Sequence, residues 1–206
     1  MRGVASHVSP LTGFRFVCYC KDCQAFARFL GRSDVLDPAG GTDILQMPPA
    51  RLRLTAGMDR LRCLSLSKKV LRWYTRCCQT PLANSAASPR FPIIGVNHSF
   101  IDHEGGDRFL DDVLGPPLCR IFKRSAIGAL PPNAPGRPSP GVVARRTSTM
   151  LGWWMRGLGR PNPFFDDETK LPRTTAHVLT PSEHSAVLMS LAGRPAPGTF
   201  ARSQGP

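Results

Sequence analysis

The sequence predicts a mainly β protein, with a small antiparallel β-domain over residues 1–100 and an irregular, helix-containing extension over residues 101–206. Three observations support this prediction. Several segments of the first hundred residues alternate apolar and polar side chains, which is the pattern of half-buried strands. The 21 prolines and 19 glycines favour turns over an all-helical bundle. The chain is 41% hydrophobic and 20% charged, a balance typical of a globular protein.

The predicted strands are short and lie before residue 100. Residues 14–20 are aromatic and β-branched, and they lead directly into a predicted helix over residues 21–30 that Gly31 ends. Asp22 is the expected cap at the start of that helix. Further strands are predicted over residues 42–48, 52–55, 61–66, 70–74 and 91–96.

The extension has a different composition and is expected to contain short helices. One is predicted within residues 110–120 and another over residues 145–158. A third begins at Thr180, because Thr180 as N-cap, Pro181 at the first helical position and Glu183 at the third form a capping-box pattern.

The string Cys18-x-Cys20-x-x-Cys23, called here the cysteine triplet, is the most informative motif. A strand end that turns into a helix lets three sulfurs converge on one point. Helix N-terminal amides and a bound cation both lower thiol pKa values, so thiolates are accessible at neutral pH. Three thiolates bind zinc and leave the fourth tetrahedral position for water or a substrate thiol. The alternatives are a structural site completed by a ligand elsewhere, or buried free cysteines.

Four further cysteines are expected to have other roles. Cys77 and Cys78 are adjacent, and neighbouring side chains of a strand point to opposite faces, so the two are not expected to bind one ion together. One of them is a candidate metal ligand and the other a packing residue. Cys63 lies in an alternating strand segment and Cys119 follows two prolines, and both are expected to be small buried apolar side chains.

Two segments together resemble a known family. Residues 16–26 read Phe-Val-Cys-Tyr-Cys-Lys-Asp-Cys-Gln-Ala-Phe, and residues 72–82 read Arg-Trp-Tyr-Thr-Arg-Cys-Cys-Gln-Thr-Pro-Leu. They are similar to motifs of the glutathione-dependent formaldehyde-activating enzyme family, which is shared with centromere protein V. The chain looks closest to an uncharacterised bacterial subgroup that carries a C-terminal extension. The resemblance implies a small all-β zinc fold with a labile catalytic zinc site at the cysteine triplet and a second, structural zinc site.

The second site of that family is only partly represented in this sequence. In the family it uses an N-terminal Cys-x-Cys-Gly pair and a later Cys-x-x-Cys-Gly motif, but no cysteine precedes Cys18 here. In the later motif, Thr75 occupies the position of the first cysteine and Gln79 occupies the position of the glycine. Cys78 is therefore the matching metal ligand, with Cys77 as its alternative. We expect the structural zinc to be absent, or the true chain start to lie upstream.

The chemistry that the resemblance implies is the making or breaking of a carbon–sulfur bond between glutathione and formaldehyde. We predict a zinc-dependent carbon–sulfur lyase that acts on glutathione or a related thiol adduct, with the cysteine triplet as both catalytic and metal-binding residues. Lys21, Arg28 and Arg32 are candidates to bind glutathione carboxylates, or they are solvated surface cations.

The net charge of +13 favours anionic partners and supports an alternative function. In that alternative the chain is a non-catalytic zinc-binding module whose basic extension binds nucleic acid or an acidic partner, nucleic acid being the less favoured. The helix predicted over residues 145–158 carries arginines with Trp153 and Trp154, which would suit base stacking or an anionic lipid surface. We expect instead that these tryptophans dock the extension onto the β-domain.

The sequence has no apolar run of the roughly 18–20 residues that a membrane span requires. The N-terminal residues also lack the apolar segment of a secretory signal. We therefore expect a cytoplasmic protein, in which seven cysteines indicate metal or thiol chemistry more than disulfides.

Overall fold

A computed structural model of the chain describes residues 1–66, 69–101, 107–132, 136 and 138–189. It is mainly β, as predicted. The strands are β1 (Arg2–Ala5), β2 (Phe14–Cys18), β3 (Thr42–Met47), β4 (Leu52–Ala56), β5 (Leu61–Ser65), β6 (Val70–Thr75), β7 (Pro81–Ala86), β8 (Ile94–Asn97), β9 (Arg120–Ile121) and β10 (Ala176–Val178). The α-helices are α1 (Lys21–Phe29), α2 (Asp107–Leu114), α3 (Pro140–Met155) and α4 (Pro181–Met189).

Eight of these strands form one sheet, in the order β10-β5-β6-β7-β8-β3-β2-β9. The six inner strands pair antiparallel with one another. The two edge strands pair parallel, β10 with β5 and β9 with β2. β1 and β4 form a separate antiparallel ribbon. The predicted antiparallel arrangement therefore holds for the inner strands, and the edge strands make the large sheet mixed.

Four strands were not predicted from the sequence, namely β1, β7, β9 and β10. β7 contains proline and small polar residues with low strand preference, yet it is largely buried because it lies between β6 and β8. Pro81 is tolerated because it is the first residue of its strand. β9 and β10 are too short to show alternation. The strand predicted over residues 91–96 begins only at Ile94.

The helices of the extension differ from the prediction mainly at their starts. α3 begins at Pro140, because Ser139 caps it by accepting a hydrogen bond from the Val142 N–H and proline suits the first turn. The capping box of α4 is confirmed, since the Glu183 N–H donates to Thr180 Oγ1 at 3.3 Å and the Thr180 N–H donates to a Glu183 carboxylate oxygen at 2.8 Å. Among the described residues, no helix combines the length and apolarity needed to cross a membrane.

Aromatic residues of the extension complete the core of the sheet. Trp73 of β6 is fully buried; the Phe164 ring stacks on it at 4.9 Å and the Phe165 ring meets it edge-on at 6.0 Å. Trp153 of α3 is 2% exposed and packs edge-on against Phe14 of β2. The docking predicted for the tryptophans is thus confirmed for Trp153 and wrong for Trp154, which is 65% exposed. Residues on both sides of position 100 share one sheet and one core.

Candidate metal centre

The cysteine triplet lies where β2 turns into α1. Cys18 is the last residue of β2, which pairs with β3 on one side and with β9 on the other. Cys20 follows the strand and Cys23 lies in the first turn of α1. The three Sγ atoms all lie within 4.8 Å of one another. The sulfurs therefore converge, as the motif spacing predicts.

The cap of α1 is a sulfur atom of the triplet. Cys20 has an extended backbone, and its Sγ accepts a hydrogen bond from the Cys23 N–H at 3.4 Å. The prediction of Asp22 as the cap was wrong, because the helix already begins at Lys21 and Asp22 lies inside the first turn. The helix N-terminus consequently directs its partial positive charge at the sulfurs, which favours their ionised form.

Two buried side chains fix the turn that brings the sulfurs together. Tyr19 points away from the triplet, where its hydroxyl donates to a carboxylate oxygen of Asp37 at 2.8 Å and accepts from Arg120 at 2.8 Å. The Gln24 side-chain amide donates to the Tyr19 carbonyl at 2.9 Å and to the Ser125 carbonyl at 2.7 Å. Arg120 belongs to β9 and Ser125 follows it, so the extension helps to hold the triplet in place.

The surroundings of the triplet are apolar on most sides. Cys18 and Cys23 are buried and cluster with Ile44 of β3, while Phe16 and Ile121 pack against them. Cys20 is half-buried and is the most accessible of the three sulfurs. Apolar surroundings strengthen the electrostatic interactions of a bound cation. The accessible side at Cys20 leaves room for a further ligand.

A buried arginine faces the triplet from β6. Arg72 is 4% exposed, and its Nη1 donates to Cys23 Sγ at 3.7 Å and to Asn84 Oδ1 at 3.1 Å. Its Nη2 lies 3.8 Å from a carboxylate oxygen of Asp22, and its guanidinium lies over the Phe26 ring. A buried arginine requires anionic partners, and here the nearest are a thiolate and one carboxylate.

The electrostatics favour ionisation at Cys23. Hydrogen bonds from the thiols of Cys18 and Cys20 lower the pKa of Cys23 well below its ordinary value, and the charge of Arg72 lowers it further. Conversely, hydrogen bonding to Cys20 and Cys23 raises the pKa of Cys18, and burial adds to the increase. Cys23 is therefore the sulfur of the triplet that is most readily ionised, and a bound cation would favour ionisation of all three.

The donor set fits a metal ion that prefers sulfur. Metal–sulfur bonds of about 2.3 Å in tetrahedral geometry separate the sulfurs by roughly 3.8 Å, which the observed cluster accommodates with small shifts. Among the described residues, the triplet forms a group of three metal-ligating side chains whose ligand atoms lie close together, and no further His, Cys, Asp or Glu joins it. The cluster can thus hold a metal ion with three protein ligands, and the described residues add no fourth.

The remaining cysteines lie away from this cluster. Cys77 and Cys78 are exposed in the turn between β6 and β7, not in a strand, so the expectation that they point to opposite faces was wrong. Their Sγ atoms are 3.6 Å apart. Cys78 lies outside the converging group, and its predicted role as a ligand of a second zinc stays a prediction. Cys63 and Cys119 are buried, as expected.

The cations suggested as carboxylate ligands have different environments. Arg32 is held by Asp34, with Nε 2.8 Å from a carboxylate oxygen, and its Nη1 also donates to Thr80 Oγ1 at 3.2 Å. It therefore links the segment that follows α1 to the β6–β7 turn. Lys21 is exposed at the first position of α1, directly after Cys20, and remains the better placed of these cations for an anionic ligand of the cluster.

Arg72 is the functional residue that sequence reasoning missed. It lies in a strand in which three successive residues, Leu71, Arg72 and Trp73, are buried, so alternation did not mark it. Only the register of β6 brings it to the triplet, 49 residues from Cys23 in sequence. The available signal was chemical, because clustered thiolates in an apolar wall require a nearby positive charge.

Together these features define the class of the protein: a mainly β chain in which a strand-to-helix turn assembles a three-cysteine site that can hold a metal ion. A comparison with protein families matches residues 3–173 to a family of unknown function, DUF6151. The chain belongs to this family, and the match covers the cysteine triplet, every strand of the large sheet except β10, and most of the extension. No curated protein shows a significant sequence match to the chain.

Proposed function

We propose that the cysteine triplet binds zinc and that this centre breaks or forms a carbon–sulfur bond in glutathione or a related thiol adduct. The observation that carries the zinc proposal is the convergence of three sulfurs within 4.8 Å in an apolar wall beside Arg72. The choice of a thiol adduct as substrate rests on the resemblance of the two cysteine segments to formaldehyde-activating enzymes.

The charge balance supports a reactive centre. Three thiolates and a divalent zinc ion sum to one negative charge, which the buried Arg72 guanidinium offsets. When bound, zinc with three thiolate ligands offers its fourth position to a substrate sulfur and stabilises that sulfur in its ionised form. The half-buried Cys20 lies on the side from which such a substrate would approach.

The proposed reaction needs few further groups. In a hydroxymethyl thioether the carbon–sulfur bond breaks, the hydroxyl gives up its proton to water, a carbonyl forms, and the sulfur leaves as a thiolate. Lys21, at the exposed start of α1, is positioned to attract a carboxylate of the departing thiol.

The zinc proposal is tested by metal content. Freshly purified wild-type protein should contain about one zinc per chain, and Cys23→Ala should lose it because a two-sulfur site binds zinc far more weakly. Cys63→Ala is the matched control, since Cys63 is also a buried cysteine but lies in the core of β5. Zinc-free, folded wild-type protein, or equal zinc in Cys23→Ala, would overturn the proposal.

The lyase proposal is tested separately by exchange between free formaldehyde and its glutathione adduct, followed by NMR. The wild-type protein should accelerate the exchange, and Cys20→Ala should abolish the acceleration while Cys63→Ala retains it. If wild-type protein binds zinc but leaves the exchange rate unchanged, the zinc site stands and the lyase proposal fails.

A further inference from the structure

A second group of thiols lies in the turn between β6 and β7, outside the cysteine triplet. Cys77 and Cys78 are both exposed there, with their Sγ atoms 3.6 Å apart. This is close to van der Waals contact, so either sulfur is within reach of an attack on the other. Gln79, the next residue, has a left-handed backbone with φ of 51°, which turns the chain sharply after the two cysteines.

Two threonine hydroxyls are directed at Cys78. Thr75 Oγ1 lies 2.8 Å and Thr80 Oγ1 lies 3.1 Å from Cys78 Sγ. Thr75 Oγ1 already accepts a hydrogen bond from the Thr80 N–H at 3.1 Å, and Thr80 Oγ1 accepts one from Arg32 Nη1 at 3.2 Å. Each hydroxyl proton is therefore free to point at the sulfur, and two donors stabilise a thiolate there.

Positive charge surrounds the turn as well. Arg32 Nη1 also donates to the Cys78 carbonyl at 3.3 Å, and the Arg60 guanidinium lies within hydrogen-bonding range of the Cys77 sulfur. The two threonine hydroxyls and the nearby guanidinium groups therefore face the cysteine pair and favour a thiolate at Cys78.

We propose that Cys78 and Cys77 form a thiol–disulfide exchange site for low-molecular-weight disulfides, with Cys78 as the attacking thiolate and Cys77 as the resolving thiol. The Cys78 thiolate attacks one sulfur of the disulfide, whose sulfur–sulfur bond breaks; one thiolate leaves and takes a proton from water. Cys77 then loses its proton and attacks the Cys78 sulfur, which releases the second thiol. Two electrons pass from the cysteine pair to the disulfide, which is reduced to two thiols.

The product is a disulfide between neighbouring residues. Adjacent Cα atoms are about 3.8 Å apart across a trans peptide, shorter than the roughly 4.4–6.8 Å of ordinary disulfides. Such a bond is strained and easily reduced. The site is therefore a reversible one that a modest excess of thiol resets.

The test uses the full chain and glutathione disulfide as the probe, with intact-mass and peptide-mass spectrometry. Wild-type protein should end with two hydrogens lost at Cys77 and Cys78, and Cys77→Ser should accumulate one glutathionyl group on Cys78. Cys78→Ser should show neither product at this turn at a comparable rate. Because both side chains are exposed, these substitutions leave the core intact, which circular dichroism verifies.

Three outcomes would overturn the proposal. These are a first adduct on Cys77, the same accumulated adduct in wild type and in Cys77→Ser, or no product at the turn in folded wild-type protein. Zinc content, measured in the same samples, separates this site from the triplet, because the proposal requires that Cys77→Ser and Cys78→Ser leave zinc at the triplet unchanged.

Discussion

Replacing Arg72 by methionine should weaken metal binding without unfolding the protein. Arg72 Nη1 lies 3.7 Å from Cys23 Sγ, and two unit charges at that distance attract by about 4–5 kcal/mol at an effective dielectric constant near 20. Desolvation offsets part of this, and hydrogen bonds to charged groups contribute about 1.5–3 kcal/mol net. We therefore expect zinc to bind about 10–100-fold more weakly, the range typical of residues that support metal ligands.

The assay is competition for zinc between the protein and a chromogenic chelator. Arg72→Lys should give an intermediate affinity, because lysine keeps the charge but loses the guanidinium, whose Nη1 reaches Cys23 and Asn84 while its Nη2 faces Asp22. Arg62→Met on the neighbouring strand β5 is the control and should bind zinc as wild type does. Unchanged zinc affinity in a folded Arg72→Met variant would refute the charge argument. Denaturant unfolding of the zinc-free proteins separates this effect from stability, since replacing a buried charge by an apolar side chain is often neutral.

Three further predictions concern the turn, the core and the last helix. Thr80→Val removes one hydrogen-bond donor from the Cys78 thiolate and should raise the pKa of Cys78 above about 7. The pH at which alkylation of Cys78 becomes fast should therefore increase, while the control Thr147→Val should leave it unchanged. An unshifted alkylation curve in Thr80→Val would contradict this role of the hydroxyl. Phe164→Ala empties the position stacked on Trp73 and should lower the free energy of unfolding by about 3–5 kcal/mol. The exposed Leu171→Ala should change it by no more than about 0.5 kcal/mol, and equal losses in denaturant titrations would contradict the shared core. Thr180→Ala breaks the capping box of α4 and should destabilise the helix by about 0.5–2 kcal/mol. Backbone amides of α4 should then exchange faster in Thr180→Ala than in the control Ser185→Ala. Equal exchange in the two variants would show that the cap is dispensable.

Local features of this protein were predictable from the sequence because neighbouring residues determine them. The convergence of the cysteine triplet follows from its spacing at a strand-to-helix turn, and the capping box at Thr180 follows from three residues. Long-range features were not predictable in the same way. Arg72 reaches Cys23 only through strand register, and β7 is a strand because of its neighbours, not because of its own composition.

The turn at Cys77 and Cys78 illustrates a different limit. A strand reading of these residues predicts diverging side chains, whereas the chain has already left β6 at Thr75. The strand was predicted over residues 70–74 and ends at Thr75, so its boundary was right to one residue. The error was to apply strand alternation to two residues beyond that boundary, where the turn places the two sulfurs 3.6 Å apart.

The parallel edge strands have a consequence for how the chain emerges during synthesis. β9 covers the open side of β2 and β10 covers the open side of β5, and both come from beyond residue 100. Until residue 178 has left the ribosome, β10 cannot pair, and the outer edge of β5 presents unpaired amides and carbonyls to other chains. A fragment that stops near residue 100 would leave β2 and β5 as unpaired edges, and unpaired strand edges favour association between chains. In the full chain the edges are instead two strands of only two and three residues.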